Sequence, residues 1–152
     1  MQRLRPLSQL KTEAPNVSRE ILVVDTHTDE TLRKYIEKAK STFNAYPGNY
    51  QKIVEELGYL VSDNMGGKIS SNPWNGYKLH INALKKEKNT NLLALGDIKQ
   101  GTYYHRALLF KLLCDEIGIA SDLTAGKHPR AWNVVYLPGT NSVSILLFLE
   151  SN

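Results

Sequence analysis

The side chains that could perform covalent chemistry in this chain are one cysteine, Cys114, and four histidines. A thiol acts as a nucleophile when it is held as a thiolate, for example at the N-terminus of a helix, beside a histidine that accepts its proton. Cys114 instead falls near the C-terminal end of a predicted helix, where the helix dipole disfavours a thiolate. We therefore interpret Cys114 as a small, buried structural side chain.

The histidines do not have the spacing of a metal site or of a catalytic pair. They are far apart in the sequence, at His27, His80, His105 and His128. The polar run around His27 is better explained as the cap of a helix, and His105 as a core histidine that bonds to the backbone. His128 lies on a predicted turn, but a base without a nucleophile is not a site. The chain also has no glycine-rich phosphate loop and no Gly-x-Ser-x-Gly elbow, so we expect no metal and no cofactor.

Composition limits the class of protein. With 152 residues, 41% of them hydrophobic, the chain can form one domain with a core, but not two of ordinary size. A single cysteine excludes an internal disulfide framework and favours a reducing, cytoplasmic compartment. No run approaches the roughly 18 apolar residues of a membrane span. The net charge of +4 comes from scattered basic residues, which predict no specific nucleic-acid face.

The N-terminal residues differ in character from the rest of the chain. Residues 1–19 are polar and aperiodic, which predicts a disordered lead or a linker. Residues 20–152 are expected to form a single domain. This domain is predicted to begin with a short edge strand, because residues 21–24 are a run of Ile, Leu and Val.

Two helices are predicted next, over about 29–44 and from Tyr50 to about Val61. In both segments apolar side chains recur at helical spacing. Either Thr28 or Asp29 can cap the first helix. A Pro-Gly break separates the two helices, so we expect them to form a hairpin at the N-terminal side of the domain.

A long loop is predicted over residues 64–77, which are rich in glycine, serine and asparagine. Loops of this length are often functional, and Trp74 within it needs a partner. Residues 77–95 fit either a helix or a strand, because their apolar runs are too short for periodicity to decide.

The last third predicts the centre of the fold. A helix is expected to begin within residues 101–104 and to end at Ile117, before Gly118. Apolar side chains occur nearly all the way round it, which indicates a central, buried helix. Three strands are predicted after it, over residues 119–125, 130–137 and 142–149. The order favours an α+β domain in which an antiparallel sheet packs on the central helix.

The second of these strands alternates between two faces. One face carries Arg130, Trp132, Val134 and Tyr136, and the other carries Ala131, Asn133, Val135 and Leu137.

Short motifs in the same region carry a family resemblance. Gly101, Ala107 and the runs Leu108-Leu109-Phe110, Gly118-Ile119-Ala120 and Arg130-Ala131-Trp132-Asn133 resemble the transglutaminase-like (papain-like) core. Leu95-Gly96-Asp97-Ile98 and the run from His105 to Lys111 are similar to a narrower family. That family is the peptidase-like domain shared by plant Raf-like kinases of ethylene and disease-resistance signalling and by armadillo repeat-containing protein 3. Tyr103-Tyr104 resembles the armadillo member most.

The resemblance implies where the catalytic residues of active relatives would fall. Those relatives use a cysteine at the start of the central helix, a histidine from the next strand and an acid that orients it. The cysteine position matches Tyr103, the histidine position matches Arg130, and the acid position lies near Ser144 or Ile145. A phenol with a reference pKa of about 10 is a poor replacement for a thiol, and a protonated arginine cannot accept a proton.

The resemblance therefore implies a pseudoenzyme, a non-catalytic transglutaminase-like module that binds a protein or peptide. Its position in the family implies that armadillo repeats precede it in a longer protein, of which it is the C-terminal domain, or that the chain is a short relative. The expected groove has Tyr103 and Arg130 as its floor, flanked by Trp132, His128 and, from the long loop, Trp74. Two alternatives stay open: an enzyme with a rearranged site at His128 or Cys114, and a structural cap on an armadillo array.

Overall fold

The computed structural model describes residues 21–67, 73–125, 131–138 and 143–146, and within them the predicted α+β architecture is confirmed. In chain order the elements are β1 (Ile21–Val23), α1 (Glu30–Ala45), α2 (Tyr50–Asn64), α3 (Pro73–Lys88), β2 (Leu92–Ala94), a 3-10 turn (Leu95–Asp97), α4 (Tyr103–Ile117), β3 (Ser121–Ala125), β4 (Ala131–Tyr136) and β5 (Val143–Leu146). The predicted lead over residues 1–19 lies outside the described residues.

Helix α4 is the central helix that the sequence predicts. Thr102 caps its N-terminus, and Gly118 ends it in the left-handed region with φ 80°, a conformation that glycine adopts without steric cost. Leu109, Phe110 and Leu113 are fully buried. The helix contacts α1, α2, β3 and β4, so it is packed on several sides, as its apolar circumference requires.

The antiparallel sheet has the strand order β3-β4-β5. Leu123 pairs with Asn133 and Val135 with Ser144, which confirms the three predicted strands as neighbours. Asn133 and Val135 are fully buried, whereas Tyr136 is 44% exposed. The face of β4 that carries Asn133 therefore packs on α4, and the face that carries Tyr136 points away from it.

Strands β1 and β2 form a separate parallel pair, in which Ile21 is opposite Leu92. Asp29 fixes this pair to α1. One oxygen of its carboxylate accepts the N–H of Leu32 at 3.0 Å and caps α1, and the other accepts the N–H of Gly96 at 2.7 Å. A side chain at position 96 would place its Cβ atom 2.2 Å from the Asp29 carboxylate, so this close approach requires glycine.

The long loop predicted over residues 64–77 is wrong in its last part, because α3 begins at Pro73. Proline suits the first position of a helix, where its missing N–H has no partner to lose. The cluster of proline, asparagine and glycine that indicated a loop is therefore the first turn of α3, and Trp74 lies in a helix. The undecided residues 77–95 divide into the rest of α3, β2 and the start of the 3-10 turn.

The hydrophobic core lies where α1, α2 and α4 pack together and α4 meets the sheet. Helices α1 and α2 contact each other, as expected for the predicted hairpin, and Asn49 caps the second one by accepting the N–H of Lys52. Fully buried members of the core include Leu32, Ile53, Leu57, Leu95, Leu109, Phe110, Leu113 and Val135. None of the helices in the described ranges is long and apolar enough to cross a bilayer.

Candidate functional site

An open groove of about 660 Å³, here called the α4 groove, lies beside the start of α4. It is lined by Ile21, Leu22, Val24, Tyr77, Tyr104, His105 and Leu108. Val24 and Tyr104 are 44% and 45% exposed, respectively. Apolar and aromatic walls with a few polar groups are typical of surfaces that bind side chains of a ligand or partner.

His105 forms part of the groove wall but is fixed by its neighbours. Its Nδ1 accepts the backbone N–H of Thr102 at 3.1 Å and lies 2.8 Å from the Thr102 hydroxyl. In the neutral ring the proton therefore sits on Nε2, which lies 3.5 Å from the Tyr77 hydroxyl. The side chain is buried. This is the core histidine, bonded to the backbone, that the sequence predicts.

Arg106 anchors the chain segments next to the groove. Its guanidinium donates to the backbone carbonyl oxygens of Gly101 at 2.8 Å and Met65 at 2.6 Å, to the carbonyl of Gly67, and to the Ser62 hydroxyl at 3.3 Å. Burial lowers the pKa of Arg106. A buried arginine that bonds to carbonyl oxygens from two segments positions the backbone, so Arg106 connects the residues after α2 to the start of α4.

The residues that lead into α4 are held from several directions. The N–H of Lys99 donates to Nε2 of His80 at 2.9 Å, and the Lys99 ammonium donates to the Tyr35 hydroxyl at 3.1 Å. The N–H of Gly101 donates to the carbonyl of Met65 at 3.0 Å. Helices α1 and α3 and the residues after α2 thus all contribute to the position of the N-terminus of α4.

Tyr103, which the resemblance matches to the nucleophile position of active relatives, is the first residue of α4. It is half-buried and packs against the core. Consecutive helix residues point about 100° apart, and it is Tyr104 that lines the α4 groove.

The other predicted site residues are only partly described. Arg130 and His128 lie outside the described residues. Trp132 lies in β4, opposite Thr124 of β3, and Trp74 is the second residue of α3. The groove predicted around Tyr103 and Arg130 stays a prediction.

The remaining candidate nucleophile has no catalytic environment. Cys114 is fully buried, and burial raises the pKa of its thiol to about 12.

On the strand that contacts α4, Nδ2 of Asn133 donates to the carbonyl of Ala107 at 2.9 Å, which attaches the sheet to the helix. Among the described residues, no group of three or more His, Cys, Asp or Glu side chains is placed to hold a metal ion.

Sequence reasoning did not find the α4 groove, because its walls come from β1, α3 and α4 and each wall alone has an ordinary composition. Tyr77 falls at the edge of the predicted loop, and Tyr104 carries only the family resemblance. Arg106 could have been found. Arg106 stands between the apolar residues Ala107 and Leu108 and the first turn of the helix, which favours burial, and a buried arginine needs hydrogen-bond partners.

Comparisons with known proteins agree with the motifs. The family model EDR1/CTR1/ARMC3, peptidase-like, matches residues 1–135. Human armadillo repeat-containing protein 3 is 40% identical over 100 residues, which are 64% of this chain and 12% of that protein. The probable serine/threonine-protein kinase SIS8 of Arabidopsis thaliana is 33% identical over 79 residues, which are 51% of this chain and 8% of the kinase. The chain thus spans only a small part of either relative. No solved structure matches it.

Proposed function

Because this chain belongs to the EDR1/CTR1/ARMC3 peptidase-like family, we propose that it acts as a non-catalytic transglutaminase-like module that binds a protein or peptide. The observation that carries the proposal is the α4 groove. It is open, has apolar and aromatic walls, and lies beside the helix start where active relatives of the transglutaminase-like superfamily hold their nucleophile.

The chemistry of the nearest residues supports a non-catalytic role. Tyr103 offers a phenol in place of a thiol, and phenols titrate near about pH 10. The imidazole of His105 uses Nδ1 to accept the N–H of Thr102, with Nε2 near the Tyr77 hydroxyl. The thiol of Cys114 is buried. A rearranged enzyme would need a nucleophile and a base within hydrogen-bond reach of each other.

The walls of the groove favour an apolar partner segment. Tyr104 and Val24 are exposed at the rim, while Leu108 and Tyr77 lie deeper. Aromatic side chains of this kind often dominate the binding energy of protein interfaces. We propose that the partner inserts one or two apolar side chains between them. Such a partner could also contact a second surface, the one predicted around Tyr103 and Arg130 with Trp132, His128 and Trp74.

The cellular context belongs to the same proposal. The armadillo repeats named in the human relative suggest that repeats precede this module in a longer protein, and the single buried cysteine fits a cytoplasmic location. The alternative role of a structural cap predicts a contiguous apolar patch. Of the large hydrophobic side chains exposed in the described ranges, Val24 and Tyr104 line the α4 groove, and Tyr59, Leu79 and Tyr136 belong to α2, α3 and β4.

The test is a selection of binding peptides followed by two matched variants. The purified domain is used to select from a display library of peptides tiled over the natural proteome, and the affinity of selected peptides is measured by calorimetry. Tyr104→Ser should weaken binding about tenfold or more, as loss of an interface tyrosine does. Tyr59→Ser is the control, because Tyr59 is a similarly exposed tyrosine, at 55%, on α2.

Two results would contradict the proposal. One is a selection that enriches no peptide, and the other is equal affinity for the Tyr104 and Tyr59 variants. A separate assay for peptidase, amidase and transglutaminase turnover should give no product above the buffer background. Turnover that depends on His128 or Cys114 would support the rearranged enzyme instead.

A further inference from the structure

Two histidines from different helices hold the short segment that leads into the central helix. His80 of α3 accepts the N–H of Lys99 through Nε2 at 2.9 Å. His105 of α4 accepts the N–H of Thr102 through Nδ1 at 3.1 Å. Residues 99–102 are thus bound at both ends by an imidazole nitrogen that acts as a hydrogen-bond acceptor.

Each of these hydrogen bonds requires a neutral ring. A neutral imidazole has one acceptor nitrogen, whereas the protonated ring has only donors. Protonation would place an imidazole N–H against a backbone N–H at both positions. We propose that His80 and His105 form an acid-sensitive latch, which holds residues 99–102 while both rings are neutral and releases them when the rings become protonated.

The surroundings of His80 favour the neutral ring, which is the form that its hydrogen bond to Lys99 requires. Burial has the largest effect and lowers the pKa of His80. The charges of Lys99 and His105 lower this pKa further, and a hydrogen bond with the backbone of Asp97 raises it. The Lys99 ammonium is itself held on the Tyr35 hydroxyl.

The groups around His105 are different. The rings of Tyr77 and Tyr104 lie 5.0 Å and 6.3 Å from its ring between centroids. The Thr102 hydroxyl lies against Nδ1, and the guanidinium of the next residue, Arg106, binds the carbonyl of Gly101 within the held segment.

The sign of the pH effect follows from linkage. The pKa of His80 is lowered in the folded state, so this ring binds a proton less readily there than in the unfolded chain, whose histidines titrate at about pH 6.5. The stabilisation is therefore complete above that pH and is lost as the pH falls below it. Protonation of His80 can increase the unfolding equilibrium constant by up to about tenfold per pH unit. His105 also lines the α4 groove, so the latch and the groove share this residue.

The experiment measures amide hydrogen exchange by NMR at several values between about pH 7.5 and about pH 5, the range in which histidine titrates. The protection factors of the Lys99 and Thr102 amides should decrease on acidification before those of core amides such as Leu113. His80→Gln and His105→Gln keep an acceptor without a titratable ring, since glutamine serves at the third helix position of a capping box. In each variant, the corresponding amide should lose its pH dependence. His27→Gln, at an exposed histidine, is the control and should behave as the unmodified chain.

Equal pH profiles in the unmodified chain and in both latch variants would overturn the proposal. If a variant does not fold, the unmodified chain still gives an answer through ¹⁵N chemical shifts of the imidazoles. The latch predicts that at neutral pH His105 carries its proton on Nε2 and His80 carries its proton on Nδ1. A charged ring, or the opposite tautomer, at either position at neutral pH would rule the latch out.

Discussion

Among single residues, Arg106 shows how a buried charge can organise a surface site. Its donors bind the carbonyl oxygens of Gly101, Met65 and Gly67 and the Ser62 hydroxyl. Removing the guanidinium breaks these four hydrogen bonds, although the Met65 carbonyl keeps the N–H of Gly101 as a donor and the Gly67 carbonyl keeps the Ser62 hydroxyl.

Arg106→Met, which retains much of the side-chain volume, should therefore reduce the free energy of unfolding by about 1 to 3 kcal/mol. Arg106→Lys should recover only part of the loss, because an ammonium cannot reproduce the planar fork. Urea denaturation measures both. Arg33→Met is the matched control, since Arg33 is exposed and only 3.8 Å from Glu30 in a surface pair, so its loss should cost less than about 1 kcal/mol. Similar decreases in the free energy of unfolding for Arg33→Met and Arg106→Met would contradict the anchoring role of Arg106.

Cys114 gives a prediction about reactivity and pH. With a pKa raised to about 12 by burial, the thiol stays protonated at neutral pH in the folded protein, so a thiol-directed probe should label it only after unfolding. In the unfolded chain the thiol ionises at lower pH, so the stability that Cys114 contributes is present at neutral pH and decreases as the pH rises above about 8.5. Mass spectrometry of the protein treated with the probe, folded and unfolded, checks the predicted labelling. Labelling of the folded protein faster than free cysteine would favour the enzyme alternative.

The sequence predicts the helices whose ends carry local signals, such as a capping residue or a terminal glycine. Thr102 and Gly118 mark the ends of α4, and Asp29 marks the start of α1. The start of α3 was missed because the same residue types that break a chain also fit the first turn of a helix, as Pro73 does. The parallel pairing of β1 with β2 joins Ile21 to Leu92. Such a contact depends on tertiary packing and leaves no periodic pattern in either segment.

The buried face of α4 gives a prediction at this scale. Leu109 is fully buried at the centre of the helix, so Leu109→Ala should lower the free energy of unfolding by about 2 to 5 kcal/mol through lost burial and an unfilled cavity. Leu79→Ala makes the same change on α3, where the side chain is 74% exposed, and should change stability by about 0.5 kcal/mol or less. Thermal denaturation of both variants tests the packing. An unchanged melting temperature for Leu109→Ala would contradict the central position of α4.

For the whole molecule, the site was harder to predict than the fold. The three strands after α4 follow from alternation and turn residues, which act locally. The α4 groove depends on how three elements meet, so Tyr77 and Tyr104 become neighbours of the same cavity only after folding. The family resemblance points to Tyr103 at the start of α4, whereas the side chain that lines the α4 groove is that of the next residue, Tyr104.

The predicted contact between Tyr103 and Arg130 also depends on the arrangement of whole elements. Sequence alternation groups Arg130 with Tyr136, and Tyr136 is exposed while Asn133 and Val135 pack on α4. A guanidinium over the phenol ring would contribute about 0.5 to 2 kcal/mol.

Arg130→Ser distinguishes the possible roles of that position. If Arg130 belongs to a binding surface that solvent can reach, the free energy of unfolding should change by less than about 1 kcal/mol, while the affinity for a selected peptide decreases. If the pair only fills the space left by a lost catalytic site, the variant should lose stability and keep its affinity per folded molecule. Urea denaturation and calorimetry on the same preparation separate these results. A variant with unchanged stability and unchanged peptide affinity would show that neither role holds, and that the partner contacts the α4 groove without Arg130.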